Sequence, residues 1–269
     1  MRSAIRRLTG TVCCLLLLGA PGASRAAAPQ AMETLAAHRA FYRLTLASTE
    51  NSGVTNASGA MEYEVIDGCT GWATQQRLDM TVLDREGGDT HTVSDYSTWE
   101  SKDGQNFRFR ITQSTNDDRE VRAGWAELPP GKPGFAVYTA PEPRRVVLPA
   151  GTIFPMAQTE AVLAAAQKGQ MFVSVPVFDG TATAAVENTF AVITSHGQVV
   201  PTNFAPLSKL PSLMVHMGYF ATDTTEMLPD TLLSMRYWNN GVADGLMMNF
   251  GNFTMAGTLA QFRLLPHHC

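Results

Sequence analysis

Set aside the first 26 residues and two cysteines remain, Cys69 and the C-terminal Cys269. Paired thiols can close a disulfide, ligate a metal or act singly as a nucleophile once ionised. His267-His268-Cys269 offers imidazole and thiolate, both zinc ligands. Three adjacent residues wrap one ion poorly, however, and no second Cys/His cluster accompanies them, so neither metal nor cofactor is expected. Glu62 and Glu64 stand two apart, which on a strand puts both on one face. Such a pair could do acid–base work or form a wet charged face. His38, His91, His196 and His216 are scattered, as surface or packed histidines are. Asp67, Asp103 and Asp179 each precede a glycine, where a turn accounts for them. The sequence has no Gly-x-Ser-x-Gly elbow, His-Glu-x-x-His helix, Walker loop or Cys-x-x-Cys pair. The chain is therefore expected not to be an enzyme. An unrecognised hydrolase stays open as a third reading.

A binding role is easier to motivate. The chain holds 13 methionines, many in its C-terminal half: Met214, Met217, Met227, Met235, Met247, Met248 and Met255. Thioether side chains adapt to varied apolar partners. The expected apolar binding surface is Trp99, Trp125, Met214, Met217, Phe220, Trp238 and Met247, with Phe250 and Phe253 nearby, unless these residues fill an ordinary core.

The compartment follows from the N-terminus. Arg2, Arg6 and Arg7 precede an apolar run from Leu8 to Gly19, then Pro21-Gly22 and small residues, with Ser24 and Ala26 before a cut at Ala27. This is the three-part pattern of a signal peptide, and the run is shorter than the roughly 20 residues of a membrane span. Residues 1–26 are expected to be a leader, and residues 27–269 a soluble exported protein of an oxidising space such as the periplasm, where structural disulfides persist. Without the leader, 16 basic residues face 24 acidic ones, a formal −8. That balance gives no basic footprint for nucleic acid and no attraction to anionic membranes.

Most of the rest alternates with the period of strands. Ala40, Tyr42, Leu44 and Leu46 share one parity; Gly59, Met61, Tyr63 and Val65 another; Trp72, Thr74, Gln76, Leu78, Met80 and Val82 a third. Val93 to Trp99, Phe107-x-Phe109-x-Ile111 and Val121-x-Ala123-x-Trp125 continue the series. Turn signals such as Asp67-Gly68 and Asp103-Gly104 separate the runs. Alternation punctuated in this way predicts antiparallel hairpins. A helix is predicted over about 155–168, opened by Pro155, filled with alanines and stopped at Gly169. The resulting organisation is one mainly β domain, two strand-rich halves (about 27–150 and 170–269) joined by that helix.

The string Gly59-x-Met61-x-Tyr63-Glu64-Val65-x-Asp67-x-Cys69-x-Gly71-Trp72-x-Thr74-x-Gln76-Arg77 resembles the signature of the EipB-like cell envelope integrity family, a periplasmic group of alphaproteobacteria. So do His38-Arg39-Ala40-x-Tyr42-x-Leu44, Asp95-Tyr96-Ser97-Thr98-Trp99-Glu100-Ser101, Phe107-Arg108-Phe109, Leu148-Pro149-x-Gly151-Thr152-x-Phe154-Pro155, Phe178-Asp179-Gly180 and the terminal Cys269. Thr70 stands where the family pattern has Asp, and Gln158 where it has His. The resemblance implies a many-stranded antiparallel β-spiral, or paired half-barrels, with one central helix, similar in architecture to lipoprotein-carrier (LolA/LolB-like) folds. It implies that Cys69 pairs with Cys269. It implies a non-enzymatic role in envelope integrity through a protein or lipidated partner, with a lipoprotein or lipid carrier holding an apolar cavity as the alternative.

Overall fold

The computed structural model describes residues 35–50, 53–181, 186–222 and 228–266; the expected leader, Met227 and the terminal His267-His268-Cys269 lie outside them. Eight strands come first: β1 (His38–Thr49), β2 (Val54–Asp67), β3 (Gly71–Asp84), β4 (Asp89–Ser101), β5 (Asn106–Thr115), β6 (Asp118–Glu127), β7 (Gly134–Ala140) and β8 (Arg144–Leu148). The helix α1 (Pro155–Gln167) follows. Six more strands follow among the described residues: β9 (Phe172–Val177), β10 (Glu187–Val199), β11 (Pro211–Ala221), β12 (Thr231–Trp238), β13 (Ala243–Asn249) and β14 (Phe253–Leu264).

All 14 form one sheet in the order β8-β7-β6-β5-β4-β3-β2-β1-β14-β13-β12-β11-β10-β9. From β1 the chain steps outward by antiparallel hairpins to one edge, passes through α1, re-enters at the opposite edge as β9 and steps back. The first and last strands then meet in the middle, where β14 lies antiparallel to β1 with Tyr42 opposite Leu259 and His38 opposite Leu264. The two halves read in the sequence are thus one continuous sheet. It does not close, leaving β8 and β9 as edges. The residues leading into α1 cover part of β9, since Ile153 accepts from Phe178 N–H at 3.0 Å and donates to Pro176 O at 2.9 Å.

The alternation read from the sequence sets the two faces. On β1, His38, Ala40, Tyr42 and Leu44 are buried while Arg39 and Arg43 are exposed; on β5, Phe107 and Phe109 are buried while Arg108 and Arg110 are exposed. The buried face packs on α1, which starts with Pro155 at its first position and buries Met156, Gln158, Val162, Leu163, Ala165 and Ala166. Pro suits that position because the missing N–H has no partner there in any helix. The stop is local: Gly169 takes φ +70°, and N–H groups of Gly169 and Gln170 return to the carbonyls of Ala166 and Ala165.

Two apolar clusters lie on the buried face. The smaller is aromatic and filled: Phe107 stacks on Phe154 at 4.8 Å between ring centroids, and Phe109 meets Phe178 edge-on at 5.6 Å. The larger joins α1 to β1–β3 and to strands of the C-terminal half, and it contains the site.

Candidate ligand cavity

Between α1 and the buried face lies a cavity of about 290 Å³. Ligand pockets run from roughly 300 to 1,000 Å³, so this one suits a small or slender molecule. Its wall comes from both halves: Met61 and Tyr63 on β2, Tyr96 on β4, Met217 and Tyr219 on β11, Met235 and Tyr237 on β12. Among the described residues, no Lys, Arg, Asp or Glu lines it.

Five tyrosines give the wall its character, and four have their hydroxyls tied to the protein. Tyr42 donates to Ala243 O at 2.8 Å and Tyr96 to Asp179 O at 2.6 Å. Tyr219 donates to Gln158 Oε1 at 3.5 Å, and Tyr237 hydrogen-bonds the Thr159 side chain. With their tips engaged, the rings act as apolar surface. Burial pushes the hydroxyls of Tyr42, Tyr63, Tyr96, Tyr219 and Tyr237 above their ordinary range, so all stay neutral.

His38 lines the same cavity and is 3% exposed. Its Nδ1 lies 2.7 Å from Ala36 O. A carbonyl only accepts, so Nδ1 carries the proton. Burial holds the imidazole below its ordinary pKa against that hydrogen bond. The ring is therefore neutral and its Nε2 is an acceptor. Nε2 is buried and has no partner among the described residues. An unpaired buried acceptor costs about 1–3 kcal/mol.

A second buried group anchors α1 over the cavity. Glu100 on β4 is 2% exposed. Its Oε2 accepts from Met156 N–H and its Oε1 from Ala157 N–H, both at 2.8 Å. The helix's own flanking residue, Phe154, supplies no side-chain cap. A carboxylate from a distant strand thus takes the free N–H groups that every helix start exposes. Burial raises the Glu100 pKa to about 7 despite these two bonds.

Gln158 faces inward from α1. Its Nε2 donates to Thr189 Oγ1 at 3.2 Å, and Thr189 donates on to Val175 O at 2.8 Å. The amide therefore ties α1 to β9 and β10. Thr70 is exposed, and its carbonyl accepts from Lys102 N–H at 3.0 Å.

Of the apolar residues picked from the sequence, Met217 lines the cavity. Trp238 is 1% exposed and sits in the larger core without reaching the cavity wall. Trp99 and Trp125 occupy the other face of the sheet, each opposite Arg108 on β5, and Trp125 is 37% exposed. Met247 is 39% exposed. Met214 and Phe220 have the strand parity opposite to Met217 and Tyr219 and do not line the cavity. The structure does not bring these seven together. Strand parity separates them: Tyr96, Thr98 and Glu100 turn β4 inward on even numbers, which puts Trp99 outside. Residues missed from the sequence include Tyr63, Tyr96, Tyr219 and Tyr237. Following the inward parity from strand to strand finds them, whereas ranking by side-chain size does not.

Glu62 and Glu64 lie on the outer face beside Arg39, Arg77 and Asp95. Arg39 pairs with Glu64, and Arg77 with Asp95 at 2.7 Å. Exposed pairs like these add about 0–1 kcal/mol and mark a wet face. Among the described residues, no group of three His, Cys, Asp or Glu could hold a metal ion, and no helix is long and apolar enough to cross a membrane.

These features define a class: an unclosed antiparallel sheet with one inserted helix and an uncharged cavity between them. The chain belongs to the EipB-like family, which matches residues 29–266. It is 30% identical over 250 residues to the cell envelope integrity protein EipB of Brucella abortus, covering 89% of this chain and 88% of that one. Its fold is similar to the crystal structure of a β-barrel-like protein of a domain of unknown function from Brucella abortus. That match has a TM-score of 0.79 and 27% identity, over 87% of this chain and all of the other.

Proposed function

We propose that this protein acts in the periplasm, after loss of residues 1–26, and supports envelope integrity without catalysis by holding an apolar ligand or lipidated partner in the cavity under α1. The observation that carries this reading is the charge-free wall of tyrosine rings and methionines around about 290 Å³. Kinship with a cell envelope integrity protein supports the setting. A hydrolase would need converging acid, base or nucleophile; this wall offers one neutral imidazole and neither carboxylate nor thiol.

Native mass spectrometry of the protein released from native periplasm tests it. A bound lipid or acylated species is expected, and Met217→Trp, which fills the cavity, should abolish it. Overpacking costs about 1–3 kcal/mol, so the variant should stay folded by circular dichroism. An unliganded parent under conditions that preserve lipid complexes would refute the reading.

We also infer that Cys69 and Cys269 form a disulfide clasp. Cys69 is disulfide-bonded, and Cys269 lies outside the described residues. The register supports the pairing: His38 faces Leu264 of β14 on one side and Val65 of β2 on the other. The last described strand therefore ends two strand spacings, roughly 10 Å, from the strand that leads to Cys69. The β2–β3 turn is built to present that residue. Cys69 adopts φ +66°, a left-handed conformation that L residues rarely take. Asp67 Oδ1 accepts its N–H at 2.9 Å, and Lys102 Nζ holds Asp67 at 2.7 Å.

A further inference from the structure

We propose that the cavity selects an uncharged amphiphile whose head carries a hydrogen-bond donor, a hydroxyl or amide N–H, and that His38 Nε2 receives it. This rests on the cavity being a ligand site, as argued above. Within the wall, Nε2 is the one buried side-chain polar atom without a partner among the described residues. Its role is fixed, because Nδ1 is committed as donor to Ala36 O. The ring packs between Tyr63 and Phe262, each at 5.9 Å between centroids.

The other polar groups facing the cavity are largely occupied. Thr74 and Thr98 bond each other at 2.6 Å, Asn240 Oδ1 accepts Val242 N–H at 3.3 Å, and Gln158 bridges Tyr219 and Thr189. A ligand entering here thus meets mainly apolar surface and, in Nε2, a buried acceptor with no partner among the described residues. The absence of charged residues in the wall sets the second half of the selection. A carboxylate or phosphate drawn inside would lose its water and gain no counter-charge, which is strongly unfavourable. A neutral donor loses little, and it satisfies an atom that is otherwise buried unpaired.

The test compares three probes of one chain length by titration calorimetry at pH 7.5 on the purified protein: 1-decanol, decyl methyl ether and decanoate. Decanol should bind about tenfold more tightly than the ether, the value of roughly one buried hydrogen bond, and decanoate should bind most weakly. His38→Leu should erase the preference for decanol, and His38→Gln, which keeps an acceptor, should restore part of it. Equal binding of decanol and ether by the parent overturns the role of His38 but leaves the cavity a ligand site. A preference that survives in His38→Leu does the same. Tightest binding by decanoate overturns the uncharged class. If none of the three binds, the ligand-site reading fails along with the proposal.

Discussion

Replacing Cys69 by serine lowers the melting temperature by on the order of 10 °C. The chain-entropy model gives about 5 kcal/mol for a closed loop of roughly 200 residues, with native strain and residual structure reducing it. In a domain of this size 1 kcal/mol moves the midpoint by about 2–4 °C. The position adds to the effect, because the clasp would hold the chain's last residues, which fray when untied. Reductant should shift the parent by the same amount and leave Cys69→Ser unmoved, and Cys269→Ser should match Cys69→Ser. The site has its own internal control. Thr70→Asp, a change in the same exposed turn, leaves the thiol in place and should change the midpoint little. Should the parent melt identically with and without reductant, the clasp contributes nothing to stability.

Glu100→Leu is expected to cost about 3 kcal/mol at pH 6. Leucine fills similar space but leaves the N–H groups of Met156 and Ala157 facing apolar surroundings, at about 1–3 kcal/mol each. Ionisation sets the pH dependence. The folded-state pKa of Glu100 is raised from 4.5 to about 7, chiefly by burial and slightly by Glu160. Between those values the unfolded chain has released its proton and the folded one keeps it. Stability contributed by the protonated group is therefore complete below about pH 4.5 and is lost as pH rises through about 7. The gap between parent and Glu100→Leu should accordingly narrow from pH 6 to pH 8, since leucine carries no charge to bury. Glu100→Gln should show the flattest stability profile across that interval. Chemical denaturation at pH 5, 6, 7 and 8 measures all three proteins. A gap that is constant with pH, or widens, would mean that Glu100 is ionised throughout and that its two hydrogen bonds outweigh burial.

Much of the fold was legible in the residues. Alternation at Ala40-x-Tyr42-x-Leu44 and Phe107-x-Phe109 named strands and their buried faces, because a strand with one dry face can satisfy packing only with period two. Pro155, the alanines and Gly169 bounded the helix to within one residue, since each acts through its own backbone. The cavity was less legible. Trp99 and Trp125 looked like binding residues by size, yet β4 turns Tyr96, Thr98 and Glu100 inward and presents Trp99 to the other face. In Asp89–Ser101 neither parity is cleanly apolar, so alternation alone could not choose. The choice follows from what Glu100 caps, a helix start 56 residues away.

The sequence by itself determined the strands, the helix, the absence of familiar catalytic motifs and the membership of a family, all of which are carried by local pattern or by order along the chain. Only the tertiary structure decided that β14 closes against β1, that five tyrosines from both halves surround one uncharged space, and that His38 lines it with an acceptor to spare. Those facts depend on register and on contacts between residues far apart in the chain. A slip of one residue in any of these strands would turn that strand's side chains to the opposite face.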